Sequence, residues 1–310
     1  MSHDPVRRGV LLLGVGSGLA LLLLEMVELR WELAGTAGLL GLVPIAVSFV
    51  LGGRLGAAVA ALVAVGGIVA VVGGPAGVMV TLRHVLPGFA LGVALARRAC
   101  LAVSLMAVGA ASLAGLVLLV WAYMPGGPTL LDFLRRRLES HLAELELLPD
   151  RFGLAQDPGL AAEAARLMVT TMEVAGPAVL LVGVLFSALT NYLGARLVLR
   201  GGGFRPFATE AVPDHLVWGV VVGGILLASR EHTAGMIGLN LLIVLGVFYA
   251  IQGLAVLRHL FQKARVPRPL QGVSFGLFAL QPLLLVAAAC LGLFDLWMDF
   301  RKIRQVPTPA

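Results

Sequence analysis

The chain has 310 residues, of which 59% are hydrophobic and only 13% charged, with a mean hydropathy of +0.97. Ordinary soluble domains carry about 25% charged residues, so lipid must solvate much of this surface and a soluble globular fold is excluded. The net charge of +6 rests on 23 basic residues, all arginine except Lys263 and Lys302. They lie in short junctions between apolar runs, which is the pattern of membrane topology and not of a nucleic-acid partner.

A hydrocarbon core about 30 Å thick takes roughly 20 apolar residues as a helix. On that measure the sequence predicts an all-α, polytopic transmembrane helix bundle of about nine spans. They fall near 9–27, 33–51, 55–74, 76–96, 100–124, 174–199, 213–229, 234–257 and 271–294. The alternative count is about eight, with one segment re-entrant. The first run follows Arg7 and Arg8, as in a signal peptide. Glu25, Glu28, Arg30 and Glu32 follow it without a small-residue cleavage pattern, so it reads as an uncleaved anchor.

Alternate junctions hold Arg7 and Arg8, Arg54, Arg97 and Arg98, Arg196, Arg200 and Arg205, then Arg258, Lys263, Arg265 and Arg268; the opposite short ones hold only Arg30 and Arg230. Positive-inside bias therefore puts the N-terminus in the cytoplasm. The basic tail of Arg301, Lys302 and Arg304 conflicts with an outer C-terminus, and an even count would remove the conflict. Cys100 and Cys290 fit no metal or redox spacing, and the topology sets them near opposite faces.

Residues 125–173 break the apolar pattern with eight acids and five arginines. Leu131, Leu134, Leu138, Leu142 and Leu145 recur at spacings of three and four, which predicts an amphipathic helix whose apolar face packs on the bundle, the bilayer or a partner. Asp157-Pro158 reads as the N-cap and first position of a second helix that meets Gly176-Pro177. Three regions result: an N-terminal bundle over 1–125, an extracytoplasmic helical insert over 126–173 and a C-terminal bundle over 174–310.

The spans carry G-x-x-x-G pairs at Gly14/Gly18, Gly52/Gly56, Gly88/Gly92, Gly219/Gly223 and Gly272/Gly276, which predict close helix contacts. Chemistry-bearing motifs are absent: no H-E-x-x-H, G-x-S-x-G, C-x-x-C or P-loop occurs, so no catalytic residue, metal site or cofactor is assigned and an enzyme is not expected. Candidate ligand-binding residues are the intramembrane polar ones. Arg83 and His84 precede Pro87, whose missing N–H leaves a carbonyl free. Asn191, Asn240 and Gln252 read either as lining or as hydrogen-bonding glue between helices. Gln281-Pro282 breaks the last span.

The C-terminal half carries Asn191-Tyr192, Arg196, Leu199-Arg200, Arg205-Pro206-Phe207, Gly238-Leu239-Asn240, Tyr249-Ala250-Ile251-Gln252-Gly253 and Gly292 through Arg301. This series, over most of 174–301, resembles the YybS-type family of bacterial multi-span membrane proteins. That family is similar in fold to the substrate-capturing subunits of energy-coupling-factor transporters. The resemblance implies a multi-pass protein of the bacterial inner membrane with a small-molecule pocket, and the first reading is a transport-type subunit capturing a small solute. The alternative is a membrane scaffold that binds envelope partners through the Leu131–Leu145 face.

Overall fold

The computed structural model describes residues 5–31, 39–123, 158–199 and 204–303. The described residues are almost entirely helical and contain no strand. Helices satisfy every backbone hydrogen bond within the segment, which an apolar solvent demands. In chain order they are α1 (Pro5–Trp31), α2 (Val43–Val71), α3 (Gly74–Ala96), α4 (Leu101–Tyr123), α5 (Pro158–Val198), α6 (Leu216–Ala228), α7 (His232–Lys263), α8 (Arg268–Leu280) and α9 (Pro282–Met298). Bulky apolar side chains such as Leu12, Leu62, Trp121, Phe186, Trp218 and Leu283 stand exposed, as a lipid-facing surface requires.

The expected nine spans are more than the structure contains. Among the described residues 6 helices are long and apolar enough to cross a membrane, or 7 if the bent pair Arg268–Phe278 and Pro282–Met298 is one span. Two features lower the count. The segment near 213–229 becomes α6, whose 13 residues span about 20 Å, too short for the hydrocarbon core. The segments 33–51 and 55–74 join without a loop into α2, which counts as one helix although its two arms, before and after Gly53, lie on the two expected spans.

That run doubles back at Gly53. There φ is 62° and ψ −159°, a backbone that costs glycine little and other residues much. A Cβ on Gly56 would lie 2.7 Å from the Ser48 carbonyl oxygen, whereas residues eight apart in a straight helix are separated by about 12 Å. The arm after Gly53 runs alongside α1 in the same direction: Gly14 meets Gly56 and Val59, and Gly18 meets Ala60 and Val63. The arm before it lies along α3, where Gly88 meets Ile45 and Gly92 meets Ala46 and Phe49. Gly219 and Gly223 likewise admit Leu245 and Leu242 of α7. Gly272/Gly276 departs from the expectation, because nothing lies within 4 Å of a Cβ at either position.

Helix α5 begins at Pro158 and continues for 41 residues, so the boundary at 173/174 falls inside one helix. At 1.5 Å per residue it reaches about 60 Å, twice the hydrocarbon thickness. The Leu131–Leu145 face lies outside the described residues. At the other end the chain turns by 105° across the Gln281 break, far more than a proline kink. Two cores result. One gathers Leu21, Ile45, Ala57, Ala60, Ala64 and Ile68 between α1 and α2. The larger joins α2–α5 and α7 through Leu91, Leu105, Tyr192, Phe248 and Tyr249.

Candidate functional site

Pro87 shapes the first site. It has no N–H for the Arg83 carbonyl, and its ring crowds that turn. The helix responds by widening into a π-turn over Thr81–Val85, closed by the Leu86 N–H donating to the Thr81 carbonyl. Such π-turns often mark functional positions. On α1, Glu25 and Glu28 are three residues apart and share a face. His84 Nε2 stands 2.7 Å from Glu25 Oε1, with side chains 1% and 9% exposed. Arg83 Nη1 donates to Glu28 Oε1 at 2.9 Å, and these side chains are 42% and 14% exposed. The structure thus brings Arg83 and His84 together, each already facing a carboxylate of α1.

A second feature lies between α2 and α3. A cleft of about 600 Å³ is lined by Phe49, Arg54, Ala58, Phe89, Val93, Ala96 and Arg97. The Phe49 and Phe89 rings meet edge to face at 6.0 Å. Arg54 and Arg97 are exposed and have no carboxylate partner among the described residues. The cleft's lining does not include Arg83 or His84.

The three amides read from the sequence lie apart from both features, and each closes a backbone gap. Asn240 of α7 inserts beside Pro177 of α5. Its Oδ1 accepts the Ala178 N–H at 2.8 Å and its Nδ2 donates to the Val174 carbonyl at 2.7 Å, replacing the helical bond between those two residues. Asn191 Oδ1 accepts the free Leu42 N–H at the start of α2 at 3.0 Å. Gln252 Oε1 accepts the Val212 N–H at 2.8 Å, while its Nε2 donates to the Gly292 carbonyl at 2.9 Å and to Asp295 Oδ2 at 3.2 Å.

Gln252 belongs to a buried network that sequence reasoning missed. Arg301 Nη2 donates to Asp295 Oδ2 at 2.7 Å, and Nη1 donates to the carbonyls of Ala208 at 3.0 Å and Glu210 at 2.6 Å. Glu210 Oε2 accepts the Leu101 N–H at 2.7 Å. The signal was present in the acid of an otherwise basic junction and in Asp295 six residues before Arg301. Arg301 is therefore an internal partner and not a tail cation, which weakens the charge conflict at the C-terminus.

Burial pushes the Glu210 carboxyl up, against the opposing pull of the Leu101 N–H, Arg196, Arg205 and Arg301. A carboxyl raised on folding contributes stability that is present below its unfolded value and lost as pH rises through the folded one. The thermal midpoint of the purified protein will fall as pH rises through that window. Glu210→Gln will flatten this part of the profile, measured by melting in detergent at stepped pH.

A family model described as "Predicted membrane protein (DUF2232)" matches residues 33–296. Searches of curated proteins and of solved structures give no match.

Proposed function

The chain belongs to the DUF2232 family of predicted membrane proteins, and we propose that it is a transport-type membrane subunit that captures a small amphipathic anion in the cleft between α2 and α3. The observation that carries this reading is the cleft itself. Its volume of about 600 Å³ falls within the range of small-molecule sites. Two guanidiniums without carboxylate partners among the described residues suit a carboxylate or phosphate head, which arginine binds bidentately. Phe49, Phe89 and Val93 offer an apolar wall for the rest of the ligand.

Arg83 is the weaker anion site because Glu28 already meets its charge. The resemblance to the YybS-type family, with its kinship to solute-capturing subunits, supports the same role. On this reading Asn191, Asn240 and Gln252 position helices around the cleft, and the task is binding without catalysis. Placed in a bacterial inner membrane with a cytoplasmic N-terminus, the protein would open the cleft toward the cytoplasmic side.

The test is binding to the full chain in nanodiscs, using short aryl and alkyl carboxylates and phosphates as probes. Charge-assisted hydrogen bonds are worth about 1.5–3 kcal/mol each. Arg54→Ala/Arg97→Ala should therefore lose at least about tenfold in affinity, with an unchanged melting midpoint because both side chains are exposed. Equal binding by the double variant would overturn the reading. So would native mass spectra in which only anionic phospholipid occupies the wild type.

A further inference from the structure

The C-terminal end of α7 and the helix that follows it are not explained by anion capture. Helix α7 has 32 residues and is about 48 Å long, against a hydrocarbon core of about 30 Å. Membrane helices tilt by up to about 40°, which would still leave about 37 Å along the membrane normal. The excess lies at the C-terminal end. Arg230 and Glu231 stand directly before the first residue of α7, whereas Arg258 and Lys263 fall within its last two turns. Those turns therefore stand beyond the hydrocarbon, on the side that positive-inside bias assigns to the cytoplasm.

Helix α8 is held at that level. Helices α7 and α9 are antiparallel, since Gly253 meets Ala288 and Gly292 meets Tyr249. Pro282 at the start of α9 is thus level with the last turns of α7, and α8 joins the two ends. It is bent by 105° from α9, so it runs across these helices and not along them. Its rotation about its own axis is fixed as well. Arg258 Nη1 donates to Gln271 Oε1, Gln271 Nε2 donates to the Val266 carbonyl at 2.6 Å, and the Phe261 and Phe275 rings meet edge to face at 6.0 Å. Gln271 is buried. On another side of α8, Leu270, Val273, Leu277 and Leu280 recur at spacings of three and four, each more than half exposed. Gly272 and Gly276 form a third strip, with nothing within 4 Å of a Cβ.

We infer that α8 is an in-plane amphipathic helix that docks on the headgroups of an anionic lipid leaflet, with its leucine stripe in the acyl boundary and Lys263, Arg265 and Arg268 on lipid phosphates. This does not rest on the anion cleft. Charge complementarity selects the occupant. Between Glu231 and Asp295 the chain has no acid, and its four cations, Arg258, Lys263, Arg265 and Arg268, all lie between the last turns of α7 and the first residue of α8. Lys263, Arg265 and Arg268 are exposed, with no carboxylate partner among the described residues. An apolar stripe beside a basic edge is the composition of helices that lie in the membrane interface. A helix crossing the hydrocarbon would need no such edge, and the 13 residues of α8 reach only about 20 Å.

The test uses the full chain in vesicles of phosphatidylcholine with phosphatidylglycerol, spin-labelled one site at a time in a Cys100→Ala/Cys290→Ala background. Labels at Val273→Cys and Leu277→Cys should be relaxed by oxygen, which collects in the acyl region. Labels at Gly272→Cys and Gly276→Cys should be relaxed by a water-soluble nickel chelate. Labels closed to the chelate on both strips would place α8 inside the hydrocarbon and overturn the proposal. Labels at 273 and 277 that neither reagent reaches would mean that a protein or a second copy covers the stripe, which also overturns it. Headgroup recognition is read from energy transfer between a dye at Val273→Cys and fluorescent lipids. Each basic residue beside an anionic surface is worth about fivefold in affinity. Lys263→Gln/Arg268→Gln should therefore lose at least about fivefold of the preference for phosphatidylglycerol, with an unchanged melting midpoint because both side chains are exposed. An equal preference in that variant overturns the role of the cations. Arg54→Ala/Arg97→Ala should leave both readouts as they are, so failure of the anion cleft and failure of this surface read out separately.

Discussion

Arg301→Ala will destabilise the protein by about 3–5 kcal/mol, the cost of breaking a buried ion pair and stranding its partner. The side chains of Arg301 and Asp295 are only 2% and 4% exposed. Arg301 also donates to the carbonyls of Ala208 and Glu210, in the link between α5 and α6. Its removal leaves two backbone acceptors and a carboxylate to be met by Gln252 and the Phe300 N–H alone. Asp295→Asn will cost somewhat less, because the amide keeps an acceptor for the guanidinium while losing the charge. The double variant Asp295→Asn/Arg301→Met will be more stable than the sum of the singles predicts, since neither change then strands an opposite charge. Urea melts of the four proteins in one detergent measure the coupling; additive losses would mean that the pair does not act as a unit.

This network also marks how far the sequence could be read. The helical class and the lipid-facing surface follow from the length of the apolar runs. The start of α5 follows from Asp157-Pro158, and three of the small-residue contacts in the first bundle follow from glycine spacing. Each of these is local, or repeats with the helical period. Which distant residues meet is not local. Glu25 and His84 are on different helices, and nothing in either neighbourhood names the other. Arg301 reads as a tail cation by position, and only the fold turns it inward onto Asp295. Gly52-Gly53-Arg54 reads as a junction between two spans, and the chain does reverse there, but that one arm packs on α1 and the other on α3 is set by residues far along the chain. The same residue types thus carried opposite meanings according to a partner that lies far away in the chain.

The amides show the distinction from the other side. Asn191, Asn240 and Gln252 were legible as polar groups inside apolar helices, but their role depends on gaps in other segments. The Ala178 N–H and Val174 carbonyl next to Pro177 lose each other and find Asn240 instead. Proline in a membrane helix is tolerated where neighbours satisfy the freed groups. Asn240→Leu will therefore loosen α5 near Pro177 more than it loosens α7, which hydrogen exchange along α5 can check.

The second large effect is expected at the crossing of α7 and α9. A Cβ on Gly253 would overlap the Ala288 carbonyl, and one on Gly292 would overlap the Tyr249 carbonyl. In both cases the obstacle is backbone, which cannot turn aside as a long side chain can. Overpacking a side-chain core typically costs about 1–3 kcal/mol. Here the axes must separate, and separation also pulls Gln252 away from the Gly292 carbonyl and from Asp295. The loss from Gly253→Val will therefore exceed about 3 kcal/mol, the upper end for overpacking alone, and will leave little folded protein after extraction. Gly276→Val is the control: it makes the same change on α8, where nothing lies within 4 Å of a Cβ, and its melting midpoint should match the wild type. If the two variants melt alike, helix packing at Gly253 is not what holds the second half of the bundle together.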